Sequence, residues 1–437
     1  MRIKLSNINK ISTADIKLDG LSVIVGENST GKSTVGRVLF STVKALANTT
    51  SNDERRKTEQ IEKHISSLYK RLAASISYTK TKEMEDLFPR LIFTFINELD
   101  STISLDEFIN RRVAFIDNLE IAPRQKSLMK QDLENIRLCK KDNANIEARL
   151  SAEMQYLIES EFLNKICAND EDIAEVSFAM DDNNPSLRYN ISKENRIIDI
   201  ECIDNGDFFQ DATYIESPLY LHMQNALRRT YTYREIENAR MSFNAMIPLH
   251  IKDIVDKMEI LRYSNGINNN CDVHLDEIVG GGFEYDKNRH TIEFKQDGHS
   301  YSPINVASGI KSFGILQILL DGNLINENRI LIWDEPENHL HPQWQIELAK
   351  VLVQLADAGI PILISTHSPY FLQAIRFFSA GYPIEKYVNY YLAENIDNRK
   401  SIITDISEDL NRAFLQLARP LNDIMNVDAE RIKNNKG

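Results

Sequence analysis

Residues Gly26-Glu27-Asn28-Ser29-Thr30-Gly31-Lys32-Ser33-Thr34 have the types and spacing to cradle a phosphate. Gly26 and Gly31 let the backbone curl, so that successive N–H groups point inward at phosphate oxygens. A helix opening here adds the partial positive charge of its N-terminus. Lys32 then has the reach to meet the β- and γ-phosphates of a nucleotide, and the Ser33 hydroxyl is placed to sit on Mg²⁺. Asn28, Ser29, Thr30 and Thr34 complete the lining. Taken alone, the loop fits kinases, GTPases and motors equally, and a glycine turn without chemistry is the bland alternative.

A second constellation lies far along the chain. Ile330-Leu331-Ile332-Trp333-Asp334-Glu335-Pro336 is an apolar run ending in paired carboxylates. The run reads as a buried parallel strand, and Asp334 falls at its C-terminal tip, where α/β sheets place ligand chemistry. Asp334 is suited to hold Mg²⁺ directly or through water, and Glu335 to orient an attacking water. A strand that merely ends in surface acids has the same pattern. Ser365-Thr366-His367-Ser368-Pro369 follows the next apolar strand and brings an imidazole to the same edge, as a reactive group or as a plain loop residue. Ser308-Gly309, 26 residues before Asp334, opens a further helix, either as an anion-binding turn or as an ordinary N-cap.

These residues need a scaffold that brings them together. Three short strands are expected in residues 1–25, the third (Leu21 to Val25) running into the glycine loop. A helix carrying Val35, Val38, Leu39 and Val43 on one face should follow. Residues 50–168 lack glycine and repeat Leu and Ile at helical spacing, as at Ile61, Ile65, Leu68 and Leu72, then Leu128, Leu133 and Ile136. This is expected to be a helical insertion, with one helix of about 40 residues after Pro123, some 60 Å long. No clean heptad runs along it, which favours a short hairpin over a long coiled coil. Strand patterns return at Ala174 to Met180, Ser186 to Ile191, Ile197 to Ile203 and Ala212 to Glu216. Residues 218–263 read as helical, and a strand-rich patch at 272–305 contains Gly280-Gly281-Gly282 as a turn or bulge. From 306 onward helix and strand alternate, the mark of an α/β domain. A strand at Tyr387 to Leu392 and a helix at Leu410 to Ile424 close the pattern.

Composition narrows the classes. The 437 residues carry 51 Lys and Arg against 64 Asp and Glu, a net charge of −13, so any nucleic-acid binding must use a local basic patch. No apolar run reaches the ~18–20 residues that span a bilayer, and Met1-Arg2-Ile3-Lys4-Leu5 does not read as a signal peptide. Cys139, Cys167, Cys202 and Cys271 show no C-x-x-C spacing and read as free thiols in a reducing compartment. A cytoplasmic location is expected, without a membrane partner.

Together the four motifs resemble the ABC-type ATPase head, in its SMC/RecF/OLD-like branch. The resemblance covers residues 1–45 and roughly 205–425, and it implies an α/β P-loop NTPase with a helical insertion. Gly26 to Ser33 corresponds to Walker A, Asp334-Glu335 to Walker B, Ser308-Gly309 to the signature motif and His367 to the switch histidine. Glu337-Asn338-His339-Leu340-His341-Pro342 resembles the D-loop segment of OLD-like proteins. By this resemblance residues 1–48 and 170–425 form a discontinuous head, 49–169 an inserted hairpin or coiled coil, and 426–437 a flexible tail. ATP and Mg²⁺ are the implied cofactors, with Glu335 and His367 catalytic. The implied assembly is a homodimer or higher oligomer, in which ATP on Lys32 of one copy is capped by Ser308 of another.

Three departures from the family pattern stand out. Ile310 and Lys311 replace the glycine and glutamine of transporter signatures. No aromatic precedes Gly26, so the adenine-stacking ring is missing. The glutamine loop has only Gln224 as a nearby candidate, on what is otherwise a helix surface. OLD-like proteins often add a Toprim nuclease, but the stretch after the His367 helix shows no matching carboxylates, and the nine histidines are scattered. The leading expectation is therefore an ATP-driven sensor or scaffold that controls a separate effector, a nuclease above all. The chain is similar in outline to stand-alone ATPases of the Septu and PARIS anti-phage systems. The alternative is a RecF-like ATPase of repair or recombination that binds DNA directly. Arg228-Arg229-Thr230-Tyr231-Thr232-Tyr233-Arg234 interleaves basic and aromatic residues and is the candidate contact for it.

Overall fold

The structure, a computed structural model, describes residues 1–75, 82–89, 92–101, 104–141, 146–163, 165–179, 186–202, 209–227, 230, 247–259, 273–286 and 291–434. The chain forms two compact units, one of Met1–Ala47 with Leu150–Gly437, the other of Asn48–Arg149.

The first unit is built on a large mixed sheet. Its strands are β1 (Arg2–Ile8), β2 (Ile11–Lys17), β3 (Leu21–Gly26), β4 (Ile173–Ala179), β5 (Leu187–Ser192), β6 (Ile197–Cys202), β7 (Asp211–Ile215), β11 (Arg329–Asp334), β12 (Ile362–Thr366), β13 (Val388–Asn395) and β14 (Ser401–Asp405). Among the described residues their order is β6-β5-β4-β1-β2-β14-β13-β3-β12-β11-β7. From β13 to β7 neighbours run parallel, with β3 between β12 and β13, and β11 between β12 and β7. Such strands are covered on both faces, and the sequence shows it: Leu21, Val23 and Val25 face one core while Ile24 faces the other.

Helices cover both faces. They are α1 (Lys32–Ser75), α6 (Ile146–Phe162), α7 (Tyr220–Leu227), α8 (Leu249–Met258), α9 (Leu275–Val279), α10 (Ser308–Asp321), α11 (Pro342–Asp357), α12 (Pro369–Ser379) and α13 (Asn411–Asn434). α10, α11 and α12 bury Phe313, Leu348 and Phe371 against Val23, Leu331 and Ile364. On the opposite face Val35, Val38 and Leu39 of α1, with Leu150, Met154 and Leu157 of α6, bury Ile24, Ile330 and Ile332. A second sheet of β8 (Gly282–Asp286), β9 (Thr291–Gln296) and β10 (His299–Tyr301) contributes Phe283 and Phe294 to the first core, where Phe283 presses on Gly314 of α10.

The second unit holds the distal part of α1 with α2 (Lys82–Leu87), α3 (Ile92–Ser101), α4 (Leu105–Asn118) and α5 (Pro123–Lys141). Its own core unites Ile61, Ile65, Leu68 and Leu72 with Phe95, Ile109, Ile116, Met129, Leu133 and Ile136. The guanidinium of Arg112 is buried there, 3.4 Å from the Phe108 ring centroid and paired with Glu98 at 3.1 Å.

Several expectations change. The insertion is a packed helical cluster with its own core, not a hairpin or coiled coil, because aromatic side chains from short helices fill it; Met129, not Leu128, faces inward. Residues 150–169 stand with the sheet-bearing unit, since α6 packs on the same core as α1. The long helix expected after Pro123 is divided between α5 and α6, with 142–145 outside the described residues. Residues 426–434, expected as a flexible tail, continue α13, which Pro420 does not end. Gly280 is the left-handed C-cap of α9 at φ 70, which a bulky residue would resist, and β8 starts at Gly282. Strand β14 went unread. Among the described residues Cys139, Cys167 and Cys202 form no disulfide, and Cys271 lies outside the described residues. Among the described residues no helix is long and apolar enough to cross a membrane.

Candidate active site

Strand β3 is buried along its whole length and delivers the chain into the glycine loop. The loop has little room. A Cβ at Gly26 would stand 2.5 Å from the Ala393 carbonyl oxygen of β13, and one at Gly31 2.7 Å from Ile11. Gly31 (φ 92) and Ser29 (φ 61) turn the backbone through the left-handed region. Thr30 Oγ1 donates to the Glu27 carbonyl at 2.8 Å, and Lys10 Nζ to the Ser29 carbonyl at 3.0 Å, so the curl is braced from both sides. Asn28 lies exposed at the loop tip.

Lys32, the first residue of α1, is buried, and its ammonium donates to the carbonyls of Gly26 at 2.9 Å and Glu27 at 2.8 Å. Burial pulls its pKa below the ordinary lysine value, against the opposing pull of Glu335, Asp334, Glu337 and Glu27. The carboxylates of the distant motif are thus electrostatic neighbours of the loop lysine. Lys32, Ser33, Gly36, Tyr214, Asp334 and Ser365 line one narrow cleft.

Parallel pairing of β11 with β12 sets Asp334 opposite Ser365. Both carboxylate oxygens of Asp334 are engaged: Ser365 Oγ donates to Oδ1, and Tyr214 Oη donates to Oδ2 at 3.3 Å. Glu335 leaves the strand at φ 48, with its N–H donating to the Ser365 carbonyl at 3.1 Å. Its side chain accepts from Asn338 Nδ2 at 2.9 Å on Oε2 and stands 3.2 Å from His367 Nδ1 on Oε1. Glu337 is buried, accepts from Thr366 Oγ1 at 2.6 Å and from the His367 N–H at 3.0 Å, and is shifted upward by that burial. His367 therefore sits between an accessible acid and a buried one.

The Leu-His-Pro segment is explained locally. His341 caps α11 by accepting the Gln343 N–H at 3.3 Å, and Pro342 occupies the first helical position, where its missing N–H costs nothing. Leu340 and Trp344 press on Gly309, where a Cβ would be 3.0 and 2.8 Å from them.

Not every expected residue joins the cleft. Ser308 and Gly309 do not line it. Ser308 is also not the cap of its helix: the N-cap of α10 is Ala307, which makes no side-chain cap bond. Gln224 lies half-buried on α7 and does not line the cleft either; the tip of β7 is followed by Glu216. Except for Thr230, the stretch Arg228 to Arg234 lies outside the described residues. Tyr214 and Ser365 carry no expected role from sequence, and Glu337 and Asn338 only that of a D-loop-like segment. Their signal was position alone, at or just past the tips of three adjoining strands. On the outer side of the loop, Ser29, Gly31 and Thr34 border a groove of about 1080 Å³, with Lys10, Asn169 and Arg399 among its walls.

The AAA ATPase domain family matches residues 1–372. No curated protein matches the chain. Similar solved structures include an SMC head bound to the C-terminal winged-helix domain of ScpA, at 11% identity and TM-score 0.41, covering 94% of this chain and 98% of that one. The SMC head domain from Thermotoga maritima aligns at 9% identity and TM-score 0.36, covering 92% and 97%. The ADP conformation of an ATP-binding cassette from an ABC transporter aligns at 10% identity and TM-score 0.31, covering 94% of each chain.

Proposed function

Given that this chain belongs to the AAA ATPase domain family, we propose that it hydrolyses ATP with Glu335 as general base and His367 as its partner. The carrying observation is the approach of Glu335 to His367 at 3.2 Å beside a lysine whose charge both Walker B acids support. A glycine curl that would not admit Cβ atoms, next to a buried ammonium, fits the β- and γ-phosphates, with Gly26, Asn28 to Gly31, Ser33 and Thr34 lining them. Among the described residues no cluster of three His, Cys, Asp or Glu could hold a metal. One hydroxyl and one carboxylate, Ser33 and Asp334, instead fit Mg²⁺, which is commonly completed by water and substrate phosphates. When bound, the ion would neutralise charge developing on the phosphates. Glu335 accepts a proton from water as the water oxygen attacks the γ-phosphorus and the bond to the bridging oxygen breaks, giving ADP and phosphate. The groove beside Ser29 and Thr34 is large enough for the nucleoside end.

We further propose a composite site in a homodimer or higher oligomer. Its support is the first turn of α10, whose cap position offers no side-chain acceptor and whose Ser308 stands apart from the cleft of its own chain. In the head-to-tail arrangement, Ser308 and Gly309 of one copy meet the γ-phosphate on Lys32 of the other. Mixing Lys32→Ala with Ser308→Arg tests this. Each variant alone is inactive, whereas the mixed dimer regains one intact site and hence phosphate release. No recovery on mixing would refute the composite site.

The biological reading rests on the sequence resemblance to stand-alone anti-phage ATPases: an ATP-driven sensor or scaffold that controls a separate effector, a nuclease. Co-purification with the product of the neighbouring gene, and loss of phage protection when that gene is deleted, are the outcomes it requires. The RecF-like alternative requires ATP hydrolysis stimulated by duplex DNA and suppressed steeply by salt.

A further inference from the structure

Beyond the loop and the paired acids, a cluster of polar groups centred on His250 lies against Tyr214, which in turn bonds Asp334. His250 on α8 is fully buried. Its Nδ1 lies 2.6 Å from Glu161 Oε2, and its Nε2 lies 2.8 Å from Glu216 Oε2. The His250 backbone N–H also donates to Glu161 Oε1 at 2.9 Å. Glu216 in turn accepts from Tyr220 Oη at 3.2 Å and pairs with Arg37 at 3.5 Å. The Tyr214 hydroxyl lies in the electrostatic field of Arg37 and Glu216 and donates to Asp334 Oδ2 at 3.3 Å.

The direction of these bonds is fixed by chemistry. An ionised carboxylate only accepts, so the Tyr214 hydroxyl is the donor and Asp334 Oδ2 the acceptor. A carboxylate on each ring nitrogen likewise calls for two N–H donors, hence an imidazolium at His250. Burial opposes that charge, but the two glutamates outweigh it and raise the His250 pKa. The ring of Tyr214 has no freedom to swing away. It stands 4.7 Å from the His250 ring and 6.3 Å from that of Phe40, and a Cβ at Gly36 would come within 2.8 Å of it.

We propose that Tyr214 is a positioning residue for Asp334, with its ring held against His250 of the Glu161–His250–Glu216 clasp. This rests on the reading of Asp334 as the metal-holding carboxylate. With Ser365 on Oδ1 and Tyr214 on Oδ2, the carboxylate keeps one rotamer and a lone pair on each oxygen for the ion's shell. Hydrogen-bond partners of this kind fix ligand orientation, and their removal commonly weakens metal binding about 10–100-fold.

The test measures the gain in affinity that Mg²⁺ gives to a fluorescent, non-hydrolysable ATP analogue. Tyr214→Phe keeps the ring and its packing and deletes the hydroxyl. It is expected to cut the Mg²⁺-dependent gain about tenfold while leaving metal-free affinity and melting temperature near wild type. A Tyr214→Phe protein with an unchanged gain, alongside an Asp334→Asn protein that has lost it, overturns this inference alone. An unchanged gain in Asp334→Asn overturns the metal-holding reading of Asp334, and the inference with it.

Discussion

The Nδ1 atom of His367 lies 3.2 Å from Glu335 Oε1 and 3.6 Å from Glu337 Oε1. The two acids are not equivalent. Glu337 is 3% exposed, and burial raises its pKa, whereas the Glu335 side chain is 26% exposed. The buried acid fixes the loop through Thr366 and the His367 N–H. The accessible one is left to meet water.

Glu335→Gln separates binding from chemistry. The amide retains the shape but accepts no proton. Turnover should fall by roughly 10²–10⁴-fold, the range of general-base removal, with nucleotide affinity unchanged. Single-turnover phosphate release beside equilibrium binding measures both, and undiminished release would assign the base elsewhere.

Lys32→Ala addresses the cradle. A charge-assisted hydrogen bond contributes about 1.5–3 kcal/mol, so nucleotide affinity should weaken roughly 10–100-fold. Titration with a fluorescent nucleotide at fixed Mg²⁺ reads this directly.

Position 309 and position 308 should behave in opposite ways. A methyl group at 309 meets the Trp344 ring at 2.8 Å, so Gly309→Ala should destabilise by about 1–3 kcal/mol through overpacking. Ser308→Ala removes no cap, since Ala307 holds that position, and should stay within about 0.5 kcal/mol. Urea unfolding distinguishes the two, and a large loss in Ser308→Ala would make that serine structural after all.

The His250 clasp gives stability a defined pH window. The folded pKa of His250 is raised above its ordinary 6.5: burial works against the charge, but Glu161 and Glu216 outweigh it. Its contribution is therefore complete below 6.5 and lost as pH rises through the raised value. Glu216 is lowered from 4.5 to about 2, chiefly by its hydrogen bond from His250. Its contribution is complete above 4.5 and lost as pH falls toward 2. Both contributions are present between 4.5 and 6.5. The melting temperature of the wild type should decline on the alkaline side relative to that of His250→Gln; parallel curves would contradict the assignment.

How much was readable in advance follows from how local each feature is. Gly26 to Thr34 could be read directly because strand, curl and helix are contiguous. Asp334, Glu335 and His367 were readable because each ends an apolar run. Tyr214 was not, because its bond to Asp334 spans 120 residues of chain and depends on β7 pairing parallel with β11. The same holds for His250 and Glu161, 89 residues apart. Ser308 illustrates the opposite error: serine before glycine looks like a cap, yet the chain turns into helix one residue earlier. The helical character of the insertion is legible in composition, but not its packing, because Phe88, Phe95 and Phe108 come from the segment just past α2, from α3 and from α4.

The backbone at Glu335 has a φ of 48. A residue with a side chain gives up roughly 1–2 kcal/mol to hold that conformation, and glycine gives up almost none. Folding alone would therefore let this position drift toward glycine over generations. A Glu335→Gly protein should melt no lower than its parent and hydrolyse far less, a gain in durability set against a loss in turnover at one residue.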